Sequence, residues 1–177
     1  TQLAAVLSDA GQAAFADLNA DGLKVSGTID VNAAAVRITD AQAQLLVSDG
    51  LQFTVDSTNV SLDATVGGTH LSTSLKELNK LGVDNVLVAG VEGADLSVDI
   101  GGGALTGGLP NFVGVGGADI DVTLRGANMT EFEQLSNMYS ADELLAAGVD
   151  NIQLSLNGET QLAAVLSDAG QAAFADL

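Results

Sequence analysis

The side chains whose type and spacing could do chemistry are oxygen donors. Asp17-Leu-Asn19-Ala-Asp21-Gly22 matches the first half of a calcium loop, D-x-N-x-D-G, in which alternate side-chain oxygens turn inward and glycine makes the sharp bend. Such a loop closes with a bidentate Glu at its twelfth position; here that position is Thr28, and Leu23–Val31 alternates like a strand where a helix should follow. A calcium site on Asp17, Asn19 and Asp21 is therefore expected to be weak, with a dissociation constant on the order of 10⁻⁴–10⁻³ M. The better explanation is a helix C-terminus and polar turn, positions that Asp and Asn suit anyway. Gly82-Val-Asp84-Asn85-Val and Gly148-Val-Asp150-Asn151-Ile are near-copies. Their Asp-Asn pairs could ligate cations in a row, or satisfy backbone N–H groups where a helix turns into a strand.

Two further features bear on catalysis. Asp119 and Asp121 flank Ile120 and project from the face opposite it, roughly 6–7 Å apart along a strand. That separation suits two carboxylates acting on a glycosidic bond, but no aromatic platform for a sugar accompanies them, and a solvated strand face explains them better. His70 is the sole histidine, and no G-x-S-x-G elbow is present to supply it with a nucleophile, so a surface or turn position is expected. The tract Gly101–Gly117 holds eight glycines but lacks the G-K-[ST] ending of a phosphate cradle. The chain does not read as an enzyme.

Charge and composition narrow the partners. Twenty-three acidic residues against five scattered Lys and Arg give a net charge of −18, which leaves no basic surface for phosphates and excludes nucleic acid and anionic lipid. The carboxylate excess favours cations instead. Hydrophobic residues reach 47%, too many for a disordered acidic tail and enough for a core. No apolar run approaches the ~18 residues that cross a bilayer, so no membrane insertion is expected. Absence of cysteine removes thiolate metal sites, disulfides and a Cys nucleophile.

The elements that must position these residues are repeated. Thr1–Leu18 and Thr160–Leu177 are identical at all eighteen positions, an offset of 159 residues. Within that offset, Gly22, Gly50, Gly82, Gly117 and Gly148 each precede a strand-like stretch, which divides it into five units of about 32 residues. Ile120, Val122 and Leu124 alternate with polar residues, as do Ile152, Leu154 and Leu156. Second strands are expected around Val36 and Ile38, around Val60, Leu62 and Val66, and around Leu96, Val98 and Ile100. Thr39–Gln42, Ser74–Glu77, Thr130–Glu133 and Ser140–Glu143 fit capping boxes that start helices. Gly22, Gly50, Gly82 and Gly148 fall where a left-handed residue would stop them. Thr1–Leu18 reads as a helical turn or two up to Leu7 and a second helix from Ser8, with Leu3, Leu7 and Phe15 buried and Ala10 and Ala14 allowing close approach. The glycine tract is expected to replace a helix with a loop.

A helix that ends on glycine and leads into the next strand favours parallel neighbours. The expected fold class is α/β, built of stacked strand–(strand)–helix repeats of about 32 residues in a solenoid-like array; the alternative is a single α+β mixed-sheet domain. Residues 1–159 read as one full repeat of five α/β units, and 160–177 as the start of the next identical repeat, packing as Thr1–Leu18 packs but on the following unit. With no initiator Met or signal-peptide pattern, the chain reads as an interior segment or mature fragment of something longer.

The pattern of short helix, L-G-V-D-N-[VI] and strand, without cysteine and in an acidic background, resembles the tandem repeats of very long secreted bacterial surface proteins, including RTX-type adhesins. The glycine-aspartate nonapeptides of RTX calcium rolls are missing from this chain. The resemblance implies export, calcium-rich surroundings and a structural or adhesive role. On this reading the protein is an extracellular filament, matrix or stalk element whose partners are neighbouring identical repeats. A calcium-dependent adhesion module is the alternative, and Ca²⁺ is the one candidate cofactor.

Overall fold

Alternating apolar residues become strands that pair only in parallel among the described residues. These are residues 2–30, 35–54, 59–64, 70–88, 93–126 and 128–177 of the computed structural model; Val31 and Val66, expected at strand ends, lie outside them. The strands are β1 (Gly27–Ile29), β2 (Val36–Thr39), β3 (Leu51–Phe53), β4 (Val60–Ala64), β5 (His70–Leu71), β6 (Asn85–Val88), β7 (Ala94–Asp99), β8 (Asn111–Gly114), β9 (Ile120–Gly126) and β10 (Asn151–Leu154). They form a sheet of order β2-β4-β6-β8, a second of order β10-β9-β7-β5, and the pair β1-β3. Among the described residues eight helices connect or flank them: α1 (Gln2–Val6), α2 (Asp9–Ala20), α3 (Asp40–Ser48), α4 (Leu75–Leu81), α5 (Met129–Met138), α6 (Ala141–Ala146), α7 (Glu159–Val165) and α8 (Asp168–Asp176). The architecture is α/β with parallel sheets.

Register places like residues over like. Ile38 faces Leu62, Leu62 faces Val86, and Val86 faces Phe112, one apolar column through four strands. Leu71, Val98, Leu124 and Ile152 form a second column. The first three residues of each column are almost fully buried. Each large side chain so covered contributes roughly 1.5–3 kcal/mol.

The advance from one strand to its partner is 24 residues from Val36 to Val60 and from Ser61 to Asn85, 26 from Asn85 to Asn111, and 28 from Thr123 to Asn151. This corrects the expected period of about 32 residues. Glycine spacing measured helix end to helix end, and Gly117 ends no α-helix; it closes a 3-10 turn at Val115–Gly117.

The helix ends follow local chemistry. Capping boxes form at Thr39/Gln42, Ser74/Glu77 and Ser140/Glu143. The fourth expected box does not: α5 is capped by Asn128, whose side chain accepts from the Glu131 N–H at 3.1 Å, so Thr130 lies inside the helix. Asn128 is extended and two residues earlier, which satisfies the first-turn donors before Thr130 can. Gly82 and Gly148 stop α4 and α6 with φ of 78° and 84°. The glycine tract does not lack regular structure throughout. It contains β8, where Phe112 pairs with Val86, a four-residue strand too short to stand out among glycines.

Candidate functional site

Asp84 and Asp150 sit two residues beyond the left-handed glycines and act alike. The Asp84 N–H donates to the Val60 carbonyl at 2.9 Å while its Oδ2 accepts from the Val60 N–H at 2.8 Å. Asp150 repeats both bonds on Val122, at 2.9 and 2.7 Å. Of the two roles open to these aspartates, the backbone one is what the structure shows. Asp40, in the first turn of α3, does similar work: its carboxylate accepts from the N–H groups of Ser72 and Thr73 at 2.8 and 3.0 Å and from the Thr73 hydroxyl at 2.6 Å. That clasp was invisible in sequence, because Asp40 and Thr73 lie 33 residues apart.

Asp17 and Asn19 lie within α2 and Asp21 caps its end; all three are exposed. The D-x-N-x-D-G run is thus helix and helix end rather than a loop, and helical spacing turns alternate side chains away from one another. Among the described residues no group of three or more His, Asp or Glu is gathered to hold a metal. Asp119 and Asp121 are exposed on either side of buried Ile120, and Asp121 lies directly across from the exposed Asp95 of β7.

Strand register brings His70 opposite Ser97, with Nδ1 3.1 Å from the hydroxyl and Nε2 3.5 Å from Asp99 Oδ2. The three make a Ser–His–Asp row that sequence reading did not anticipate, since it crosses two strands. Its His and Asp side chains are 41% and 53% exposed, on an open sheet face that would not shield a reacting group from water.

The glycine tract is fastened by side chains. Lys76 Nζ donates to the Gly102 carbonyl, Asn79 Nδ2 donates to Gly108 at 2.7 Å, and the Tyr139 hydroxyl donates to Gly107 at 2.5 Å. Burial pushes the Tyr139 phenol above its ordinary pKa; the Asn79 hydrogen bond opposes this and the Glu143 charge adds to it. Glu143 is held below the usual carboxylate range by the backbone N–H and then the hydroxyl of Ser140.

The identical segments fold identically. Ser8 and Ser167 each cap the second helix of a pair, and Gln12 and Gln171 each donate to a carbonyl six residues earlier, at 2.9 and 2.8 Å. Their surroundings differ. Leu3, Val6, Leu7 and Phe15 pack against the main core. The other copy packs on α5, with Ala173 buried beside Met129 and Phe132 and the Phe174 ring 4.7 Å from that of Phe132. The expectation that both copies pack alike, each on its own unit, is replaced by two different seats. Between α6, β10 and α8 lies a mostly apolar cleft of about 300 Å³.

Comparison with known proteins returned nothing: no family model, no curated protein and no solved structure matches the chain. Among the described residues no helix is long and apolar enough to cross a membrane.

Proposed function

We propose that the chain is a structural repeat protein, a solenoid-like unit that works outside the cell by packing against identical units in a filament, matrix or adhesin stalk. The apolar columns carry this reading. Each strand's buried residue is covered by its counterpart on the next strand, so a core of this kind grows by adding segments rather than by closing around one site. The extracellular placement rests on the resemblance to tandem repeats of secreted bacterial surface proteins. The net charge of −18 supports a partner other than nucleic acid, and the neighbouring identical unit is the partner proposed. No catalytic step is proposed, since Asp119, Asp121 and His70 are exposed along strands.

A chain of two successive units, joined at the 159-residue offset, tests the reading. It should melt in one transition and at a higher temperature than the single chain, because the junction buries surface that one unit exposes. Two transitions, or an unchanged midpoint, would describe independent beads and end the proposal. Calcium is tested separately by melting with and without millimolar Ca²⁺. Saturation at a hundredfold the dissociation constant adds about 2.7 kcal/mol. With Asp17 and Asn19 helical, no rise is expected, and a rise of several degrees would restore the calcium-dependent module.

A further inference from the structure

The two copies of the eighteen-residue segment bury different, adjoining faces, with Val6 and Gly11 and their counterparts Val165 and Gly170 at least half-buried in both. In the first, Leu3, Leu7, Gln12 and Phe15 are half-buried, and the Gln12 amide donates to Asp49 Oδ2 at 2.9 Å, a carboxylate only 5% exposed. Their counterparts are more open: Leu162 is 58% exposed and Leu166 69%, with Gln171 exposed as well, while Phe174, 44% exposed, keeps one side against Phe132. In the second copy the covered face holds Ala164, Gly170, Ala173 and Leu177, and Gln161 Oε1 accepts from the Met129 N–H at 2.8 Å. Of these positions in the first copy, Ala5, Ala14 and Leu18 are exposed. A helix apolar on two sides is suited to being covered on both. Here each copy has one side covered.

The two ends of the stack are unfinished in matching ways. After Gly50, Gly82 and Gly148, the next residue is buried: Leu51, Val83 and Val149 are 9%, 5% and 3% exposed. After Gly22 the chain makes the same left-handed turn, and the Leu23 N–H donates to the Leu18 carbonyl at 3.0 Å as Val83 and Val149 donate to Leu78 and Leu144. Yet Leu23 is 58% exposed, and a Cβ on Gly22 would meet nothing within 4 Å. At the far end β10 is the last strand of its sheet, and the cleft beside it is lined by Leu144, Val149, Ile152, Leu154 and Leu177. Leu177 is the counterpart of Leu18, five residues before Leu23.

We propose that copies of this unit join head to tail through one shared helical pair. Resting on the structural-repeat reading, the proposal names the joint: a single eighteen-residue segment seats its Ala173 face on α5 of one unit and its Leu3–Leu7–Phe15 face on the core of the next. Its glutamine reaches the Asp49 of that next unit. The following Gly22–Leu23 turn then lies over β10, and Leu23 closes the cleft. The occupant of both open faces is a second copy of this chain, because the missing half of each interface is present at the chain's other end.

The full chain carries both copies, so its own first pair occupies the receiving surface and the chain should be monomeric. Leu7→Asp loosens that pair; the second pair of another molecule, with Leu166 intact, should take the vacated surface and give head-to-tail oligomers in sedimentation velocity. Adding Leu166→Asp, at a position already open to solvent, should return the monomer. A folded Leu7→Asp chain that stays monomeric overturns the joint, as does a double variant that associates equally. Should Leu7→Asp lose its fold, amide exchange in the two-unit chain decides without any substitution: the middle copy should exchange about tenfold or more slowly than either terminal copy. Equal exchange in a two-unit chain that melts as one body means the units pack elsewhere, and the joint alone falls. Equal exchange with independent melting removes the structural-repeat reading too.

Discussion

At Val60 and Val122 a fully buried strand residue faces a chain that is still leaving a helix. The carbonyl that a continuing strand would offer is absent, and an aspartate oxygen takes its place. A short carboxylate reaches that N–H where a longer one would overshoot. Asp84→Ala or Asp150→Ala should therefore cost about 1–3 kcal/mol in urea unfolding, the price of a buried unpaired donor. Asp121→Asn, exposed and opposite Asp95, should stay within about 0.5 kcal/mol of the parent. Equal losses at all three would show that the clasp is not what stabilises the turn. Tyr139 offers a pH test, and as the sole tyrosine it can be read directly. Its folded pKa is raised by burial above the unfolded value of about 10. The neutral phenol's contribution is thus fully present below that pH and is lost as pH rises through the folded pKa. Phenolate absorbance should appear at higher pH in the native chain than in urea; a native midpoint at or below the unfolded one would contradict the assignment.

Among the elements, the helix-to-strand turn is the recurrent device. Gly148 has φ 84°, and a Cβ there would come within 2.5 Å of the Phe112 carbonyl oxygen. Gly148→Ala should cost about 2 kcal/mol or more, from left-handed strain plus that contact. Gly22→Ala bears the strain alone, in open space, and should cost about 1 kcal/mol in the single chain. Chemical denaturation of both variants compares them; equal losses would mean the approach to Phe112 is relieved cheaply. These turns, three of the four capping boxes and most strands were legible in sequence, because S/T-x-x-E/Q, left-handed glycine and period-two alternation are local signals. The stacking step was not, since it depends on which residues of distant strands face each other. Nor was the Gln12–Asp49 bond, whose partners are 37 residues apart. The Asp17–Asp21 run, open in sequence to a calcium loop or a helix end, is the helix end. Its spacing suits a loop, but Ser8 caps a helix that runs through Ala20.

For the molecule as a whole, the second helical pair is expected to be the more firmly seated copy. Deleting residues 160–177 uncovers Met129 and Phe132, now 1% and 3% exposed, and opens the flank of Ile152 and Leu154. Stability should fall by about 3 kcal/mol or more, given two large apolar side chains returned to water. An unchanged unfolding midpoint would mean the pair merely rests on α5. Another consequence follows from Asp95 standing over Asp121 on an exposed face of a 159-residue unit carrying −16, the chain's −18 less Asp168 and Asp176 of the second copy. Strung into a fibre, such units form a dense line of negative charge, and parallel fibres repel until salt shortens the reach of that field to about 10 Å at 0.1 M. Lengthwise growth relies on apolar contact and is indifferent to this. Under the proposed joint, thickness then becomes a property of the surrounding electrolyte: for the head-to-tail oligomers expected of Leu7→Asp, light scattering through a salt series should show bundling while contour length stays constant.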